Sequence, residues 1–278
     1  MSAPPTVVVH RDPTVLANAV AARLVTGIVD AQAYGSAASI VVPGGGIGIA
    51  SLRALRDSPA RPAVDWRRED LWWGDERFVP IDHPQSNAGL AYALLLAVSE
   101  KAGLSGDGGQ FDDVAAGDVP ALPIDPGNVH PVEVEEALSD DQPVDLAAQV
   151  YLREMSRYMP LARGGVPVFD VILAGIGPDG HIFSLFPGSP GLALDAPIVL
   201  GVPAPEHVEP HIARVTLAAR VLPVAHLVLV MSSGSEKAEI LAKVMGDDRD
   251  VAHWPAQAAL VPNAVWVLDR AAAAEVAA

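Results

Sequence analysis

The segment Phe169-Asp170-Val171-Ile172-Leu173-Ala174-Gly175-Ile176-Gly177-Pro178-Asp179-Gly180-His181-Ile182-Phe183-Ser184-Leu185-Phe186-Pro187-Gly188 decides how the chain is read. Its first six residues form a short, mostly apolar run of strand length, which predicts a buried strand. The run passes directly into a turn built on Gly175, Gly177 and Gly180. A strand that ends in such a turn brings backbone N–H groups close to a ligand. Here the same turn also delivers Asp179 and His181, two residues apart. An anion-friendly backbone and a base that titrates near neutral pH therefore share one strand end.

Gly175, Gly177 and Gly180 also fit the dinucleotide pattern G-x-G-x-x-G, with Asp195 twenty residues past Gly175. That pattern needs a long helix after its third glycine and a second strand ending at the acid. Pro187 and Gly188 leave room for about two helical turns. Asp195 sits in a stretch flanked by Pro and Gly. The nucleotide reading is therefore the weaker one.

Outward from this segment, strands and helices alternate. Thr6–His10 reads as a strand, and Asp12-Pro13 supplies an N-cap and a first-turn proline for a helix to about Ala33. Ala38–Val42 is a second strand ending in Pro43-Gly44-Gly45-Gly46, with a helix from Ile47 to about Arg56. Leu71–Gly74 is a third strand, ending at Asp75-Glu76-Arg77. Ser86-Asn87 caps a helix to about Ala102, and another runs from about Asp145 to Tyr158. Further strands are expected at 214–218, 226–231 and 264–268. Ser232-Ser233-Gly234 caps a helix that ends at Gly246. Strands separated by helices predict an α/β fold: a mainly parallel, doubly wound, Rossmann-like sheet with helices on both faces. Ligands of such sheets bind beyond the carboxyl ends of the strands. No internal repeat or interdomain linker is visible, so residues 1–278 are expected to form one domain. Residues at about 103–131 are rich in Gly, Asp and Pro, and no Lys or Arg occurs from Ala102 to Leu152. This predicts an acidic, solvated surface excursion.

Half of the residues are apolar but only 5 % aromatic, so Ala, Val and Leu must fill the core. No run approaches the ~20 apolar residues of a membrane span, and the first residues lack a signal-peptide pattern. The chain has no Cys, which excludes disulfides and thiolate metal sites. These features predict a soluble, cytoplasmic protein that engages neither membrane nor nucleic acid, as a monomer or weak homo-oligomer. The net charge of −16 and the absence of a Lys/Arg cluster beyond Arg67-Arg68 argue against a nucleic-acid partner. An acidic protein that binds an anionic small molecule must supply local positive charge, which directs attention to Arg77, Arg214 and Lys237.

Each motif has a plain structural alternative. Gly44-Gly45-Gly46 at a helix start suits phosphate through its N–H groups and the helix dipole, and equally suits a tight turn with no ligand. No Lys-Ser/Thr follows, so it is not a P-loop. Arg77 offers a planar fork suited to phosphate, and the acids Asp75 and Glu76 orient it or polarise a water. The same residues would also make a surface salt-bridge cluster. His181 is the best candidate base, with Asp179 fixing its tautomer or capping the turn. Lys237 near a helix start opposes the helix dipole, a placement that makes sense with an anion nearby. Arg214 opens a strand and is either a site residue or an ordinary strand-end charge. His207 and His211 have ligand-like spacing, but Pro210 breaks the helix that would align them.

The Gly-x-Gly-x-Asp-Gly-His turn followed by Ser-Leu-Phe-Pro-Gly resembles the signature of the 6-phosphogluconolactonase family. Asp75-Glu76-Arg77, Val79-Pro80, Ser86-Asn87, Asn128-Val129-His130, Arg214-x-Thr216, the Gly234-x-x-Lys237 segment and Trp254-Pro255-Ala256 extend the resemblance. Ile47 and Gly48 stand where that family usually has Ser or Thr. The resemblance implies hydrolysis of 6-phospho-D-glucono-1,5-lactone to 6-phosphogluconate, without metal or cofactor. It casts His181, Asp179 and Asp75 as catalytic, and Gly44, Gly45, Gly46, Arg77, Lys237 and Arg214 as phosphate-binding. Glucosamine-6-phosphate deaminase/isomerase is the related alternative, but its Asp-Gly-His turn continues to Phe-Asn-Glu-Pro, and this chain has no Glu there. A non-catalytic sugar-phosphate sensor is a third reading, without a helix-turn-helix to support it.

Overall fold

The computed structural model describes residues 4–276 apart from 36, 97–120, 136, 140–142 and 163. Its strands are β1 Thr6–His10, β2 Ala38–Val42, β3 Glu69–Trp73, β4 Asp75–Arg77, β5 Val171–Gly175, β6 Val199–Val202, β7 Arg214–Leu217, β8 Leu227–Ser232 and β9 Ala264–Asp269. Its α-helices are α1 Pro13–Tyr34, α2 Gly46–Arg56, α3 Asn87–Ala91, α4 Pro143–Tyr158 and α5 Ala238–Met245. Six strands form one sheet in the order β1-β9-β8-β5-β2-β3, and every neighbouring pair is parallel.

Period-2 alternation sends successive side chains to opposite faces. Ile40, Val42, Leu71, Trp73, Val171, Leu173, Leu229 and Met231 join one buried cluster with residues of α1, α2 and α3. Val41, Trp72, Ile172, Ala174, Val228, Val230, Trp266 and Leu268 join another with residues of α4 and α5. The sheet is thus covered on both faces, which is why its strands are continuous apolar runs.

The chain leaves β2 towards β3 at one edge and leaves β5 towards β8 and then β9 in the other direction. Between β2 and β5 lies the topological switch point, where a crevice opens at the carboxyl ends. The glycine loop after β2 and the Gly175–His181 turn after β5 flank that crevice.

Four expectations need correction. Asp75-Glu76-Arg77 does not simply end the third strand. After Gly74 the chain enters a separate antiparallel sheet of order β4-β7-β6, in which Arg214–Leu217 also lies. A Cβ at Gly74 would sit 2.6 Å from the Phe183 ring, so glycine permits the close approach there. The helix capped by Ser86 ends its α-helical part at Ala91, continues as a π turn over Tyr92–Leu96, and then leaves the described residues. Of the supposed solvated excursion, 103–120 lies outside the described residues, whereas 121–131 returns to the core. Leu122, Ile124, Val129 and His130 there are buried, and His130 stacks on Trp72 with ring centroids 4.0 Å apart. Finally, α1 is by length and composition apolar enough to cross a membrane. In this structure its stripe Leu16, Val20, Leu24 and Ile28 is fully buried against the sheet and α2, as a covering helix requires.

Candidate active site

A cleft of about 550 Å³ opens at the switch point. Gly44, Gly45, Gly46, Asp75, Arg77, His181, Arg214 and Lys237 all line it. They arrive from β2, β4, β5, β7 and the segment after β8, so only the fold brings them together.

The β5 turn is shaped around His181. The Gly177 N–H bonds the His181 carbonyl at 2.9 Å, and Gly180 takes φ +82°, a left-handed conformation that favours glycine. A Cβ on Gly177 would overlap the His181 ring, so glycine lets the imidazole lie flat on the turn. His181 Nδ1 lies 2.6 Å from Asp179 Oδ1, and the same oxygen accepts the His181 backbone N–H at 3.1 Å. Asp179 stands beside the cleft rather than in its lining. Burial pushes its carboxyl up, but the hydrogen bonds and charge of His181, with the bond from His207, outweigh this and hold it well below the usual range. The ionised Asp179 therefore accepts Nδ1–H from His181, which leaves Nε2 as the ring nitrogen available to a ligand.

The β4 segment is pinned by the buried Glu76, which the sequence reading cast as orienting Arg77 or polarising a water. Its Oε1 accepts the N–H groups of Arg77 (2.7 Å) and Asn87 (2.8 Å), and Oε2 accepts the Ala88 N–H (2.7 Å) and the Ser86 hydroxyl (3.2 Å). This carboxylate holds the start of α3 against β4, as a helix N-terminus prefers. Burial pushes Glu76 up to about 7, against the pull of those N–H bonds and of Arg77. A raised folded-state pKa means that its stabilising contribution is complete below about pH 4.5 and lost as pH rises through about 7. Between pH 5 and 7.5, the urea unfolding free energy of the wild type should therefore fall relative to Glu76→Gln, by up to about 3 kcal/mol. Parallel pH profiles of the two proteins would contradict this. The depressed Asp179 acts in the opposite sense, losing its contribution as pH falls below about 4, outside that window.

Arg77 donates from Nη1 to Gln85 O and Asn87 Oδ1, and its buried Nε has no protein partner among the described residues. In the antiparallel ladder Arg77 lies directly opposite Arg214. Like charges in register repel, a cost that an anion in the cleft would relieve. Arg214 is itself buried, donates to the carbonyls of Pro210 (3.0 Å) and Ile212 (3.3 Å), and lies 5.6 Å from the centre of the Phe186 ring. Burial lowers its pKa and Asp75 works against that. Asp75 Oδ2 accepts the Ser184 hydroxyl at 2.6 Å, tying the Asp-Glu-Arg segment to the Ser-Leu-Phe segment. Lys237 donates to Ile176 O at 2.9 Å; burial lowers its pKa while Glu236 and Asp179 raise it. The helix expected directly after Gly234 begins as a 3₁₀ turn over Ser235–Lys237. Gly45, the N-cap of α2, has φ +77° and open space around it.

The cleft also contains two residues, Asn87 and Ser232, that the sequence reading placed in helix caps and not among the site residues. Asn87 closes over Gly44, where any side chain would collide with it. Ser232 Oγ, at the end of β8, is buried without a partner among the described residues. Its signal in the sequence was the Ser232-Ser233-Gly234 cap that follows an apolar strand. His207 and His211 are drawn to different partners: His207 Nε2 to Asp179 Oδ2 at 2.9 Å, and His211 to Pro205 O at 2.6 Å and Glu209 at 3.0 Å. Among the described residues no group of three or more His, Asp or Glu has the geometry of a metal site. His130 does not line the cleft, and its ring nitrogens face Glu154 (3.2 Å) and Asp70 (3.3 Å).

Residues 11–267 match the family model described as glucosamine-6-phosphate isomerases/6-phosphogluconolactonase. The chain belongs to this family. A 6-phosphogluconolactonase from Streptomyces coelicolor is 37 % identical over 279 residues, spanning 99 % of this chain and 96 % of the relative. Within the family, the solved 6-phosphogluconolactonase of Trypanosoma brucei superposes with a TM-score of 0.77 at 27 % identity, covering 98 % of this chain and 99 % of its own. A monomeric glucosamine-6-phosphate deaminase shares the fold at a TM-score of 0.71 and 17 % identity, covering 97 % and 99 %.

Proposed function

We propose that the protein is a 6-phosphogluconolactonase, hydrolysing 6-phospho-D-glucono-1,5-lactone to 6-phosphogluconate, the second step of the oxidative pentose phosphate pathway. One observation carries this reading: a carboxylate-oriented histidine and three cationic side chains face one cleft in a chain whose overall charge is −16. A dianionic substrate is repelled by such a protein unless fixed local donors outweigh the field.

In our reading, Arg77, Arg214, Lys237 and the N–H groups of Gly44–Gly46 hold the phosphate, placing the lactone carbonyl near His181. A δ-lactone is a reactive ester, so a positioned base and water suffice. His181 Nε2 takes a proton as the water oxygen bonds to C1, and Asp179 stabilises the resulting imidazolium. The tetrahedral intermediate then collapses, the bond from C1 to the ring oxygen breaks, and that oxygen takes the proton from His181. Asp75 fixes Ser184 at the cleft through its Oδ2. We place the reaction in the cytoplasm, in a monomer or weak homo-oligomer, in keeping with a chain free of cysteine. The test is a paired assay of the purified protein: loss of freshly generated phosphorylated lactone above its spontaneous hydrolysis, and ammonia release from glucosamine 6-phosphate. Lactone loss alone is expected; ammonia release alone would overturn the reading.

A further inference from the structure

Both oxygens of Asp179 are engaged by histidines. Oδ1 takes His181 Nδ1 at 2.6 Å and Oδ2 takes His207 Nε2 at 2.9 Å. His207 comes from the connection between β6 and β7, in a different part of the chain from the β5 turn. Its side chain is 55 % exposed, against 17 % for Asp179 and 13 % for His181. The connection is seated firmly. Val208 packs with Phe186 and Val202, His211 braces it through Pro205 and Glu209, and Val208 and Glu209 line the cleft. Phe186 lies between the two histidines, 4.7 Å from the His181 ring and 5.8 Å from that of His207.

We propose that His207 is a positioning residue for the lactonase reaction, acting through Asp179. A carboxylate bonded on one oxygen can rotate about its Cβ–Cγ bond and draw water to the other. A second donor on Oδ2 fixes that rotation, keeps Oδ1 on His181 Nδ1, and so keeps His181 Nε2 as the unprotonated nitrogen in the cleft. At metal sites the hydrogen-bond partner of a functional histidine sets its ring orientation and tautomer, and losing it commonly costs tenfold or more; Asp179 is that partner here, and His207 holds Asp179. The geometry needs only a donor at the Nε2 position, which a glutamine amide supplies and an alanine does not. This inference rests on the lactonase reading above.

The experiment compares wild type, His207→Ala and His207→Gln by steady-state lactone hydrolysis, together with the NMR signal of the His181 Nδ1 proton, which needs no substrate. For His207→Ala we expect kcat to fall roughly tenfold with KM within about twofold, and the Nδ1 proton signal to broaden by exchange with water. His207→Gln should restore most of kcat and a sharp signal. Unchanged kcat and an unchanged signal in His207→Ala would overturn the proposal. A joint loss of kcat and KM that glutamine does not rescue would also overturn it, by reducing His207 to a support for the connecting loop. If the wild type itself fails to hydrolyse the lactone, the functional reading fails, whereas the proton signal still reports whether His207 orders the pair.

Discussion

His181→Ala is expected to lower kcat by ~10²–10⁴-fold, the range for loss of a general base, while KM changes little. The expectation rests on the geometry of the β5 turn. The imidazole lies against Gly177, its Nδ1 is committed to Asp179, and its ring lines the cleft. Removing it leaves the phosphate-binding donors in place, because these come from other strand ends. The substitution leaves the Asp179 carboxylate with the residue-181 backbone N–H and His207 as partners, so its charge is not left bare. Single-turnover measurement against the spontaneous hydrolysis of the lactone decides the matter. A folded His181→Ala protein with near-normal kcat would remove this residue from the chemistry and leave the Asp179 pair without a catalytic purpose.

Lys237→Ala is expected to weaken the phosphorylated lactone by about 1.5–3 kcal/mol, the range for a hydrogen bond to a charged group. That corresponds to roughly a 10- to 150-fold rise in KM. Turnover of unphosphorylated gluconolactone should barely change. Lys237 is half-buried and tethered to the Ile176 carbonyl; burial lowers its pKa, while the Glu236 and Asp179 carboxylates beside it favour its charged form. Its charge is therefore held at the cleft rather than dispersed in solvent. The values of kcat/KM for both lactones, in wild type and variant, separate phosphate reading from general destabilisation. Equal losses on the two substrates would show that Lys237 does not read the phosphate.

Much of this arrangement was legible along the chain because its determinants are local. A parallel strand buried on both faces is a continuous apolar run, as in Val171–Ala174 and Val228–Met231, and each ends where glycine or a polar residue takes over. Pro13 after Asp12 marks the start of α1 unambiguously, and the Asp12 carboxylate does accept the Val15 N–H at 2.8 Å. What stayed hidden depends on pairing between distant segments. β4 is only three residues long, and no local signal says that it leaves the parallel sheet to meet β7. The register that sets Arg77 opposite Arg214 is a property of that encounter. β6, with Gly201 in the middle of Val199–Val202, lacks the apolar alternation of a strand. The apolar residues of 121–131 are diluted by Pro and Asp, so their burial beside β3 was obscured by composition. Phe183 adopts φ +54° against Gly74, a conformation that nothing in its side chain foretells. His207 illustrates the same limit: the sequence shows only that Pro210 keeps it from pairing with His211, whereas its bond to Asp179 arises from tertiary contact.

The most direct test of the central claim is a crystal structure of the protein with 6-phosphogluconate bound. The account predicts the phosphate against the Gly44–Gly46 amides, Arg77, Arg214 and Lys237, with the C1 carboxylate within hydrogen-bonding distance of His181 Nε2. A phosphate bound elsewhere, or a C1 carboxylate turned away from His181, would contradict it.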